Sequence, residues 1–249
     1  MIIQAALNGA RKRAYHAQMP HTLDLLSRDA AAALAAGASE FHAHVYAGED
    51  RELLEPEAVA RWVSTIRMAA PGAFIGISTG DWIEDDDERR LSYINGWTVL
   101  PDHASVNLEE PGAVDVFKAL HARGVGIEAG ISTVADAERL RDSGLVPLVL
   151  RILVEVNEPD ITLAMRMADE ILAVLDALPS PKPILMHGFN DTTWPFLERA
   201  IVSNCAVRIG LEDTNRLPDG SLAADNADLI RAAAGLVAEA RRSRALLDQ

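Results

Sequence analysis

His42-Ala43-His44 lies in the apolar run 39–45. On a strand, alternate side chains share a face, and two residues span about 6.5 Å, so both imidazoles can converge on one ion. The same spacing also suits two histidines that only pack and hydrogen-bond in a core. In the run 206–213, Arg208, Gly210 and Glu212 share one parity, opposite Val207, Ile209 and Leu211. If that parity faces the same interior, Glu212 adds an oxygen ligand. Two imidazoles and one carboxylate leave coordination positions open, which is the pattern of a catalytic centre for Zn²⁺ or a similar divalent ion. Arg208 precedes Glu212 by four residues, and a buried guanidinium needs a carboxylate or an anionic substrate beside it. Asp213 follows just past the strand, and its plainest role is a turn or cap before TNRLPDG.

The other short apolar runs repeat the alternation. Ser78 opposes Ile75 and Ile77; Ser105 and Asn107 oppose Ala104, Val106 and Leu108; Glu128 opposes Ile127 and Ala129; Arg151 and Glu155 oppose Ile152 and Val154. Unpartnered polar groups inside a protein cost several kcal/mol, so one polar parity in strand after strand points to a shared polar interior. Glu128 also reads simply as the partner of Arg151. The basic cluster Arg11-Lys12-Arg13 follows the first apolar run. It is either solvated or steers an anionic substrate. The acidic run 84–88 and the basic run 241–244 read as helix ends that complement the helix dipole.

Eight elements of each kind are needed to position these residues. Candidate strands lie at 2–7, 39–45, 73–79, 103–108, 125–131, 147–156, 183–188 and 206–213. Helical patterns lie at 22–36, 56–69, 86–95, 112–123, 133–142, 161–177, 192–203 and 225–246. Eight strand–helix pairs in 249 residues predict an α/β fold, a single-domain (β/α)8 TIM barrel over 1–249 with its chemistry at the C-terminal ends of the strands. A doubly wound sheet is the rival, but no GxGxxG follows the first run. The net charge of −14 argues against nucleic acid or an anionic membrane surface as partner. One cysteine, Cys205, excludes a disulfide framework and a thiolate zinc cluster. With no long apolar run, and with basic residues after the first apolar stretch where a signal peptide has them before it, the expected compartment is the cytoplasm.

The segments LNGAR, AGASEFHAHV, ISTG, HASVN, GIEAG and VRIGLEDTNRLPDGSLAADNADLI together resemble the β-keto acid cleavage enzyme family, of which one member acts on 3-keto-5-aminohexanoate. The resemblance runs in order over nearly the whole chain. It implies a (β/α)8 barrel, a divalent metal (usually zinc), and an acyl transfer in which a β-keto acid and acetyl-CoA give acetoacetate and a new acyl-CoA. It also implies a homotetramer. By the same resemblance His42, His44 and Glu212 are the metal ligands. Asp213 is the base, Arg208 is its partner, and Glu128 is a pocket glutamate. Ser78, and Ser105 with Asn107 beside it, lie where the substrate is held. Two positions depart from the pattern. Arg11 stands where some members carry a glutamate, and Tyr46-Ala47 stands where many carry Arg-Asp. A cation at position 11 predicts substrates whose distal group is neutral or anionic rather than cationic. A metal-dependent barrel hydrolase, with His187 as a further ligand, remains an alternative. So does a metal-stabilised barrel without catalysis.

Overall fold

A computed structural model describes residues 1–48 and 50–247. Eight parallel strands close into a barrel: β1 (Ile3–Ala6), β2 (Glu40–Ala43), β5 (Phe74–Ser78), β6 (His103–Asn107), β7 (Gly126–Ile131), β8 (Val149–Val156), β9 (Ile184–Gly188) and β10 (Ala206–Ile209). β10 pairs with β1 and closes the ring. The intervening helices are α1 (Leu23–Ala36), α2 (Pro56–Ala69), α3 (Asp87–Gly96), α4 (Ala113–Ala122), α5 (Val134–Asp142), α6 (Ile161–Asp176), α7 (Thr193–Val202) and α8 (Asn226–Leu247). A hairpin absent from the sequence expectation, β3 (Tyr46–Ala47) with β4 (Arg51–Glu52), stands between β2 and α2. The (β/α)8 expectation therefore holds. Among the described residues, no helix is long and apolar enough to cross a membrane.

Local chemistry accounts for the boundaries. Thr22 and Asp160 cap α1 and α6 through their side-chain oxygens, and Thr133 forms a capping box with Asp136 at α5. The strands are shorter than their apolar runs suggest. β2 stops at Ala43, leaving His44 one residue beyond it, and β10 stops at Ile209. At Gly210 the chain folds tightly, with the N–H groups of Asp213 and Thr214 both donating to its carbonyl at 2.9 Å. A Cβ at Gly210 would stand 1.9 Å from the carbonyl oxygen of Ala6, so only glycine lets the turn sit against β1.

The alternation divides the strands as expected. Phe41, Ile75, Ile127, Ile152 and Val207 are buried in the strand–helix layer. The barrel lumen carries polar side chains where branched apolar ones are usual. In its N-terminal half Arg151 donates to Glu128 at 2.6 and 2.9 Å and to Glu40 at 2.6 Å, while Gln4 donates to Glu128 at 3.2 Å. Asn226, at the start of α8, ties the whole together. Its amide donates to the Leu7 carbonyl at 2.8 Å and to Asp29 of α1 at 2.7 Å, and its oxygen accepts from Leu211 N–H at 2.7 Å.

Candidate metal centre and active-site cavity

A cavity of about 440 Å³ opens at the C-terminal end of the barrel. His42, His44 and Glu212 converge on it, each offering a ligand atom within 4.8 Å of the other two. Glu212 Oε2 lies 3.8 Å from His42 Nε2, and Oε1 lies 3.6 Å from His44 Nε2. All three residues are buried. Glu212 Oε2 has no hydrogen-bond donor although it is enclosed. A buried carboxylate that turns a donorless oxygen to one imidazole nitrogen and its other oxygen to the second is a donor set that a divalent cation satisfies.

The first loop builds this centre. The side-chain amide of Asn8 clamps the backbone of His44 from both sides, donating to its carbonyl at 3.0 Å and accepting from its N–H at 2.9 Å. Gly9, at φ +58°, leaves the space that Glu212 fills, since a Cβ there would lie 2.1 Å from Glu212 Cγ. Arg11 Nε donates to the Glu212 carbonyl at 2.9 Å, and Nη2 donates to Asn190 Oδ1 at 2.9 Å. Arg11 does line the cavity. Its guanidinium also braces the Glu212 turn, a second task that the sequence expectation lacked.

Arg208 stands between two acids. Its Nη2 is 2.5 Å from Glu212 Oε1, and its Nε and Nη2 donate to Asp213 Oδ1 at 3.3 and 3.1 Å. Burial works against the Asp213 carboxylate, but Arg208 and His187 outweigh it and hold its pKa below the usual aspartate value. Burial raises that of Glu212 despite Arg208 and His44. Burial and then Arg208 keep His42 well below the ordinary histidine value, so it is neutral and offers a lone pair. His44 is raised, because Glu212 and Glu52 outweigh its burial.

Ser78, Ser105 and Asn107 reach the cavity wall as expected. Glu128 does not. It points into the lumen, but it is 0% exposed and lies among the Arg151 pairs of the N-terminal half, outside the cavity lining. The contacts realise the plain reading, a partner for Arg151, and place Glu128 below the cavity rather than in its wall. Besides Glu212, Glu155 is a glutamate that does line the cavity. It shares the inward parity of Arg151 but sits four residues further along β8, beyond Leu153 and nearer the mouth. His187 Nε2 lies 3.1 Å from Glu155 Oε2, and Nδ1 lies 3.2 Å from Asp213 Oδ1. Both its nitrogens thus face carboxylates, and His187 stands outside the group formed by His42, His44 and Glu212. Asp213 itself is 0% exposed and outside the cavity lining. Glu52 and Trp82, which carried no sequence signal beyond their type, also belong to this centre: Glu52 Oε2 is 2.7 Å from His44 Nδ1, and Trp82 lines the cavity.

Comparison with known proteins places this geometry in context. The family model of beta-keto acid cleavage enzymes matches residues 1–249. A 3-keto-5-aminohexanoate cleavage enzyme of Acetoanaerobium sticklandii is 26% identical, over 96% of this chain and 92% of that protein. One of Fusobacterium nucleatum subsp. nucleatum is 25% identical, over 100% of this chain and 95% of that protein. Among solved structures, a ternary complex of ObcA with C4-CoA adduct and oxalate superposes with a TM-score of 0.70 at 15% identity. It covers 92% of this chain, which spans only 64% of that one. At that identity the likeness is one of fold.

Proposed function

The chain belongs to the β-keto acid cleavage enzyme family, and from that premise we propose that it cleaves a β-keto acid with acetyl-CoA as co-substrate at a divalent-metal centre, zinc by preference. Acetoacetate and a new acyl-CoA are the products. The observation that carries this reading is the convergence of His42, His44 and Glu212 on one cavity at the barrel mouth. A divalent ion there supplies Lewis acidity for the β-ketone and a template for the carboxylate.

The chain's own residues do the rest. Ser78, Ser105 and Asn107 present hydroxyl and amide groups to the substrate's polar end from adjacent strands. By family likeness Asp213 is the base that takes the proton whose loss generates the carbon nucleophile, from a place behind Arg208 rather than in the cavity wall. Arg208 keeps that carboxylate ionised, and its buried Oδ2, which accepts no hydrogen bond, is the oxygen left to receive a proton. No protein thiol is required, in keeping with Cys205 lying at the opposite end of the barrel, beside Met1 and Ile2. Arg11 and Asn190 form the wall that meets the distal part of the substrate. They favour a neutral or anionic group there over an ammonium. A homotetramer in the cytoplasm completes the reading by family likeness.

The test is a coupled assay of metal-loaded protein with acetyl-CoA and β-keto acids of neutral, anionic and cationic distal group. A CoA-thioester product is expected, with kcat/KM about tenfold higher for neutral or anionic substrates, equivalent to about 1.4 kcal/mol. Hydrolysis without CoA would instead indicate a metal-dependent hydrolase, and no turnover at all a binding protein.

A further inference from the structure

The β3–β4 hairpin puts a carboxylate behind one of the two histidines. Glu52 Oε2 lies 2.7 Å from His44 Nδ1, and the Trp82 indole N–H donates to both Glu52 oxygens at 3.3 Å. The hairpin is not free to drift. Tyr46, paired with Glu52 in its register, donates its hydroxyl to the Gly9 carbonyl at 2.7 Å. The Tyr46 carbonyl accepts from the Trp62 indole at 3.1 Å, and Leu53 N–H donates to the Val45 carbonyl at 2.8 Å. Glu52 is therefore held at the ring by its neighbours as well as by the ring itself.

An ionised carboxylate only accepts hydrogen bonds. With Glu52 at Nδ1, the hydrogen of a neutral His44 sits on Nδ1 and the lone pair sits on Nε2. Nε2 is the nitrogen that faces Glu212, at 3.6 Å. His42 has no such support, because its Nδ1 is buried without a hydrogen-bond partner. The two histidines of the pair are thus unequal, one oriented from behind and one not.

We propose that Glu52 is a positioning residue of the metal centre, fixing the ring and tautomer of His44 so that Nε2 is presented to the ion before the ion arrives. This rests on the reading of His42, His44 and Glu212 as metal ligands. Outer carboxylates on ligating histidines typically contribute 10- to 100-fold in metal affinity.

Zn²⁺ affinity of the metal-free protein, measured by competition with a chelator, tests this directly in the wild type and in Glu52→Gln, which keeps the shape and removes the charge. The Zn²⁺ Kd should rise 10- to 100-fold, while the Tm of the metal-free form is preserved. Two results would overturn the proposal alone: wild-type affinity in Glu52→Gln, or a fall in the Tm of its metal-free form, which would make Glu52 a structural support of the hairpin. A wild-type protein that binds no Zn²⁺, or a His44→Ala protein that binds it as tightly as wild type, would overturn the metal-centre reading itself, and the proposal with it.

Discussion

Glu212 and Asp213 are neighbours in sequence, and side chains on neighbouring residues normally diverge. Here both reach Arg208, because the turn at Gly210 curls the chain over the end of β10. They are nonetheless not equivalent. Glu212 keeps Oε2 clear of Arg208 and turned to His42, with Oε1 shared between Arg208 and His44, while Asp213 lies behind Arg208 and beside His187. The expected roles separate by mutation. Asp213→Asn should retain one ion per chain by elemental analysis while kcat falls roughly 10²-fold, the usual scale for a lost general base. Glu212→Gln should lose metal as well as rate. A fully active, metal-loaded Asp213→Asn would leave Asp213 as a partner for Arg208 only. The base would then be Glu155, which lines the cavity against His187, and not Glu128, which is sealed below it.

At the scale of the elements, the site depends on how α1 and α8 are joined to the strand ends. Asp29 of α1 meets the Asn226 amide at the start of α8, and the same Asn226 holds Leu211 beside Glu212. Burial, partly offset by the hydrogen bond from Asn226, pushes the Asp29 carboxyl up to about 7. A carboxyl whose pKa is raised in the fold favours the protonated form. Its contribution is fully present below its ordinary pKa and is lost as pH rises through about 7. Thermal unfolding of the wild type should therefore show a loss of stability between about pH 4 and 7. Asp29→Asn, whose side-chain oxygen can still accept from Asn226, should lose that dependence and gain up to a few kcal/mol over wild type at pH 8. Identical pH profiles would show that Asp29 is ionised in the fold without penalty.

The whole molecule registers the metal centre through linkage. An ion that binds only the folded barrel stabilises it by about 2.7 kcal/mol at a concentration 100 times Kd. For a chain of this length that is a shift in Tm of roughly 5–10 °C. A chelator should lower the Tm of the loaded wild type by that amount and leave the His42→Ala/His44→Ala protein unmoved. A shift of equal size in the double variant would place the stabilising ion elsewhere.

How much of this could be read in the residues follows from what period two encodes. Alternation tells which face of a strand a side chain occupies. From it came the eight-stranded barrel, the polar lumen, and the shared inward direction of His42, Arg208, Ser78, Ser105 and Glu155. The LNGAR segment also had its place, since Asn8, Gly9 and Arg11 each shape the metal centre. Alternation does not tell how far up the barrel axis a side chain stands. That height depends on strand stagger and on where each strand ends, and both are set only when all eight strands pair. Glu128 and Glu155 share the inward face, yet closure of the barrel puts the first among the Arg151 pairs and the second at the mouth. Contacts between segments that share no strand were likewise decided by the tertiary structure. Glu52 meets His44 because the chain reverses in a hairpin. Asp213 meets His187 because β9 and β10 are neighbours in the closed ring. The sequence determined the face each residue presents, through backbone geometry alone. The tertiary structure decided depth and partners, because these depend on register and turn geometry across strands distant in the chain.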